Sequence, residues 1–126
     1  MMDRPFLNAD DDNLGKRAEP RCAVRWRGQV QMADGRRLAV RIVDISASGA
    51  GLMGDDKLTL RESVFLDAEV PRLPAMDGYA TQRWRATVMF QTFTSGTLRA
   101  GLKFEDLTPE QEALLQAWIG RSGRPF

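Results

Sequence analysis

The sequence predicts an all-β domain, an antiparallel barrel or sandwich, with one C-terminal helix packed on it. Three observations predict it. Five or six segments alternate apolar and polar residues at short spacing, turn signals separate them, and a helix-start signal stands near the end of the chain. At 126 residues, with 43% hydrophobic and 28% charged, the chain has the size and composition of one globular domain with a sizeable core.

The elements follow in order. Met1 to Leu14 mix Asp, Asn and Pro without periodicity, so residues 1–15 are expected to form a flexible arm ahead of a domain at 16–120 and a tail at 121–126. From Cys22 the alternation is clean: Cys22, Val24, Trp26, Val30 and Met32 share one face, and Ala23, Arg25, Arg27, Gln29 and Gln31 the other. Asp34-Gly35 tolerates positive φ and turns the chain, and Leu38 to Val43 returns as the hairpin partner. Gly49, Gly51 and Gly54 bracket a short apolar segment, Ala50 to Met53. Val64, Leu66, Ala68 and Val70 make another strand, which Pro71 and Pro74 end, and a loop through Gly78 follows. Trp84, Ala86, Val88 and Phe90 share the inward face of a long strand; Thr94-Ser95-Gly96 turns it into Leu98, Ala100, Leu102 and Phe104. Thr108-Pro109-Glu110-Gln111 combines an N-cap, a proline at the first helical position and a capping-box Gln, predicting a helix over about 108–119. Leu114, Leu115, Trp118 and Ile119 form its apolar stripe, and Gly120 is expected to stop it. The three tryptophans fall at core positions.

Composition excludes whole classes of chemistry. With no histidine, the chain cannot assemble a Ser/His/Asp or Cys/His catalytic set or an imidazole metal site, so no catalytic residue and no metal ligand is assigned. A lone Cys22 excludes an intrachain disulfide framework. No apolar run approaches the roughly 20 residues that span a bilayer, and the acidic start is unlike a leader, so a soluble, cytoplasmic protein without membrane insertion is expected.

Charge is segregated beneath a net value of +1. Met1 to Gly15 carries −3, whereas Lys16 to Arg41 holds eight basic residues against Glu19 and Asp34. Basic residues are mostly arginine, whose planar fork pairs with phosphate and stacks on rings.

Two patterns flank the first hairpin. Arg17-Ala18-Glu19-Pro20-Arg21 precedes its first strand and Asp44-Ile45-Ser46-Ala47-Ser48-Gly49 follows its second. In an arginine-rich chain an Arg-x-x-x-Arg pair carries little weight, but Asp-x-Ser-x-x-Gly is expected by chance in only about one such chain in thirty. The midpoint of Arg21 and Asp44 lies near the Asp34-Gly35 turn, so the two should meet at one end of the hairpin. Guanidinium groups there could chelate phosphate or stack on a purine, and the Asp44 carboxylate could accept from guanine N1–H and its exocyclic amine. Ser46 offers a hydroxyl, and Gly49 lets a ligand approach the backbone. An equally good reading of the second pattern alone is a polar turn, with Asp44 and Ser46 bonded to local amides and Gly49 left-handed.

On these residues the sequence resembles the PilZ domain family, bacterial receptors for the second messenger cyclic di-GMP. Lys16-Arg17-Ala18-Glu19-Pro20-Arg21 matches the family's Arg-x-x-x-Arg element and Asp44-Ile45-Ser46-Ala47-Ser48-Gly49 its Asp/Asn-x-Ser-x-x-Gly element, in the right order and separation. The resemblance covers about Lys16 to Gly120 and implies a six-stranded antiparallel β-barrel with a C-terminal helix. It also implies a cyclic di-GMP site in which Arg17 and Arg21 grip phosphate and guanine while Asp44, Ser46 and Gly49 hold the second guanine. A basic residue at the position of Lys16 favours an intercalated ligand pair in the family. Output is expected through contact with an unidentified effector protein. The competing readings are a small basic barrel that binds nucleic acid or a nucleotide-independent interaction module. DNA binding is not expected, because the exposed positions of the first strand offer arginine but no aromatic platform. An enzyme using carboxylates alone is the remaining class, disfavoured by the missing histidine and metal set.

Overall fold

The computed structural model describes residues 19–71 and 79–122. They form strands β1 (Arg21–Gln31), β2 (Arg37–Ser46), β3 (Gly49–Gly54), β4 (Ser63–Pro71), β5 (Tyr79–Thr94) and β6 (Thr97–Glu105), then helix α1 (Pro109–Ser122). The six antiparallel strands close into a barrel in the order β1-β2-β3-β6-β5-β4. It is therefore two three-stranded meanders, β1–β2–β3 and β4–β5–β6, joined along the β3–β6 and β1–β4 ladders.

Period-two alternation explains most of the packing. Trp26, Val30, Ile42, Leu66, Trp84 and Leu98 are among the side chains that fill the interior, while Arg25, Arg27, Arg41 and Arg85 face out. The turns obey their local chemistry. Gly35 has φ +93°, and the Asp34 carboxylate accepts from the Arg36 backbone N–H and its Nε, both at 2.9 Å. Those bonds, the backbone one first, hold the Asp34 carboxyl below its ordinary range. Between β5 and β6, Ser95 and Gly96 both take positive φ, as a two-residue type I′ connection requires.

The helix begins as its capping signal dictates. Gln111 N donates to Thr108 Oγ1 (3.1 Å) and Thr108 N donates to Gln111 Oε1 (3.0 Å), a reciprocal capping box. Gln111 Nε2 also donates to Arg83 O (2.8 Å), fixing the helix start to β5. Leu115 and Ile119 are buried, and Trp118 meets Trp26 edge-on with ring centroids 5.3 Å apart.

Three expectations need correction. Gly120 does not stop the helix, which continues to Ser122 because no positive φ is imposed at that glycine. Asp44 to Ser46 belong to β2 itself rather than to the turn after it. Phe90 is not inward: a β-bulge between Val88 and Phe90 leaves Val88 wholly buried and Phe90 59% exposed. The expected arm at 1–15, the Pro74–Gly78 loop and the chain end beyond 122 lie outside the described residues.

Candidate functional site

The hairpin register brings the two sequence patterns together. Arg21 pairs with Ser46 and Ala23 with Asp44, close to the midpoint reading, and Arg21 Nη1 donates to Asp44 Oδ1 at 3.2 Å. Ile42 is buried, so uninterrupted alternation would turn Asp44 into the core. A bulge in β2 opposite β3, between Ile42 and Asp44, shifts the phase and leaves Ile45 inward and Asp44 outward. The carboxylate then lies over Gly51, where an added Cβ would stand 2.9 Å from both of its oxygens.

The same device operates on the other meander. The β5 bulge turns Phe90 outward over Gly101, whose added Cβ would overlap the phenyl ring. Gly51 and Gly101 are direct partners across the β3–β6 ladder. Two side chains displaced by two bulges thus lie on one floor of paired glycines, which permits their close approach.

The turn between β2 and β3 shapes the near wall. Ser46 is only 4% exposed; its Oγ accepts from Ser48 N (3.3 Å) and Gly49 N (3.2 Å) and donates to Gly49 O (3.4 Å). The hydroxyl is therefore committed to the turn, as the turn reading expects of Ser46. Asp44 departs from that reading, since its partner is the Arg21 guanidinium and not a local amide. Gly49 departs from the turn reading: its φ is not positive, and a Cβ there would overlap Leu102 O, so close strand packing demands the glycine at this groove position.

A groove of about 880 Å³ opens above this floor. Besides Arg21, Asp44, Ser46 and Gly49, its walls include Glu19, Ser48, Phe90, Arg99 and Lys103. Ser48 Oγ donates to Glu19 Oε1 at 2.7 Å, tying a residue of the first pattern to one of the second. Arg99 and Lys103 project from alternate outward positions of β6, and neither has an ion-pair partner among the described residues. Sequence reasoning missed Phe90, Arg99, Lys103 and the floor glycines. Mid-strand glycines at 51 and 101 were the available signal. Lys16 and Arg17 lie outside the described residues. Arg21 keeps most of its side chain exposed (67%) against 31% for Asp44, so both can engage a ligand. Together the groove offers cations for phosphate, a carboxylate acceptor and an exposed aromatic face. Among the described residues no group of His, Cys, Asp or Glu could hold a metal ion, and no helix is long and apolar enough to cross a membrane.

Comparison with known proteins gives the context. The family model for the PilZ domain matches residues 15–121. No curated protein matches the sequence. Among solved structures, the Bacillus subtilis inhibitor of motility (MotI/DgrA) is similar at 23% identity and TM-score 0.66, over 86% of this chain and 51% of that one. YcgR from Escherichia coli in complex with c-di-GMP gives 19% identity and TM-score 0.65, over 82% and 44% of the two chains. The PilZ domain of YcgR with c-di-GMP gives 20% and 0.58, over 82% and 88%. The chain thus spans about half the length of the first two.

Proposed function

This chain belongs to the PilZ domain family, and from that premise we propose that it is a cytoplasmic receptor for cyclic di-GMP that signals by contacting an effector protein. The observation that carries the proposal is the Arg21–Asp44 pair, which joins the two sequence patterns at the mouth of a groove of about 880 Å³. That volume is within the usual range for small-molecule sites. The similar YcgR structures hold c-di-GMP, which supports the choice of ligand.

In this reading Arg17 and Arg21 grip phosphate and stack on guanine, with Lys16, Arg99 and Lys103 adding positive charge. Asp44 brings a negative charge toward a dianion, which is productive only if the carboxylate accepts from a guanine edge. Ser46 and Gly49 act through the backbone: the first holds the turn, the second lets β3 and β6 approach. Phe90 supplies a face for a purine.

Isothermal titration of the full chain with cyclic di-GMP, beside cyclic di-AMP and a single-stranded oligonucleotide, tests this. Saturable binding of cyclic di-GMP alone is expected. Preference for the oligonucleotide would replace the receptor by a nucleic-acid-binding module.

A further inference from the structure

On the outer face of the β1–β2 hairpin, four arginines stand together, each without an ion-pair partner among the described residues. Arg27 and Arg41 are direct cross-strand partners, Arg25 lies two residues before Arg27, and Arg37 lies four before Arg41; all four are exposed. None has an ion pair or hydrogen-bond partner among the described residues, whereas Arg21, Arg36, Arg83 and Arg85 each stand within 4.0 Å of a carboxylate. Like charges directly opposite on a sheet are unfavourable, so this arrangement is a standing electrostatic load on the free domain. A carboxylate donated from outside relieves it.

We propose that this face is the docking surface for an extended acidic segment of a partner protein. Arg27 and Arg37 line a shallow groove of about 490 Å³, and the exposed residue between Arg37 and Arg41, Ala39, is small enough for a peptide backbone to lie close to the sheet. Arg37 and Arg41 are about 13 Å apart along the strand at roughly 3.3 Å per residue, the span of four or five extended residues. Guanidinium forks match carboxylates bidentately, which suits Asp or Glu at alternate positions of such a segment.

The surroundings favour a protein over nucleic acid. Glu69 and Asp67 line the same groove on the β4 side, with Asp67 already engaged by Arg83 at 2.9 Å, and Asp34 stands at the hairpin tip. A continuous phosphate backbone leaving the patch would meet these acids. A short acidic segment lying along β2 from Arg37 to Arg41 has β1 between it and Glu69 and Asp67. The hairpin's exposed side chains also include no aromatic ring on which bases could stack.

The inference does not depend on what fills the groove over Gly51 and Gly101. Its test uses the full chain, a fluorescein-labelled hexaglutamate peptide and a labelled 12-residue oligothymidylate, followed by anisotropy at low salt. Saturable peptide binding is expected, weakened at least tenfold by Arg27→Glu/Arg41→Glu. An equal charge reversal on the β3–β4 connection, Lys57→Glu/Arg61→Glu, should leave it within twofold. Unchanged thermal unfolding and cyclic di-GMP titration of the Arg27→Glu/Arg41→Glu variant confirm that its fold is intact. Equal peptide loss in both double variants would reduce the effect to net charge and overturn the proposal. So would tighter binding of the oligothymidylate that Arg27→Glu/Arg41→Glu abolishes.

Discussion

Arg21 and Asp44, twenty-three residues apart in sequence, are held 3.2 Å apart at the open end of the first hairpin. The pair is a surface ion pair, with side-chain exposures of 67% and 31%, and such pairs contribute about 0–1 kcal/mol to stability. The fold does not rely on it. Each partner can therefore be removed and the effect read as function.

Asp44→Ala should separate the two purines. Losing a carboxylate that accepts from guanine should weaken cyclic di-GMP by about 1 to 3 kcal/mol, roughly ten- to a hundredfold. Cyclic di-AMP, poorly bound by the wild type, should gain relative to it. An unchanged ratio of the two affinities in the variant, with an unchanged melting temperature, would assign Asp44 to hairpin geometry alone.

Arg21→Ala and Arg17→Ala should each weaken cyclic di-GMP strongly, and wild-type affinity should fall as salt rises, because the contacts are to phosphate charge. Titrations at two ionic strengths check this. Salt-independent affinity would mean that stacking, not charge, carries the arginines' contribution.

The glycines divide into two kinds. At Gly101 an added methyl meets the movable end of the Phe90 ring, so Gly101→Ala should displace the ring, lower ligand affinity and leave thermal unfolding nearly unchanged. At Gly49 the methyl meets the Leu102 backbone carbonyl, so Gly49→Ala should destabilise the barrel itself by about 1 to 3 kcal/mol. Equal melting temperatures for the two variants would contradict the distinction.

What the sequence made legible is what local rules govern. The β1–β2 pairing followed from alternation and an Asp-Gly turn, and the Thr108/Gln111 capping box formed bond for bond. The hidden part is the bulges, one of which, between Ala23 and Trp26, lies in the β1–β2 pairing itself. A single extra residue changes no composition and breaks no pattern: Trp84, Ala86, Val88 and Phe90 alternate without a flaw, yet the phase slips at Met89 against β6. Asp44 is outward for the same reason. Phase slips are properties of a pair of strands, and a single strand's sequence does not contain its partner.

Lys16 bears on stoichiometry. Under the proposed function it would supply charge for the phosphates of a second ligand but lacks the flat guanidinium that stacks on guanine, so two ligands per chain are expected, bound more tightly in Lys16→Arg. Calorimetry that counts one ligand in both proteins would refute this.

Thr108→Ala removes one half of the capping box and should cost about 0.5 to 2 kcal/mol of stability, read as a lower melting temperature, with ligand affinity unchanged. A loss of affinity at matched stability would instead couple the helix to the groove.

The groove floor lies on a seam between the two meanders, with Asp44 contributed by one and Phe90 by the other. Gly51 and Gly101 are fifty residues apart in the chain and become neighbours only when the barrel has closed. Neither meander alone presents a complete site, so a ligand seated there acts as a rivet through both and has no affinity for the unfolded chain. Under the proposed function, cyclic di-GMP concentration would then set the domain's stability against unfolding as well as its occupancy. At a hundredfold excess over Kd, mass action adds about 2.7 kcal/mol to the free energy of unfolding.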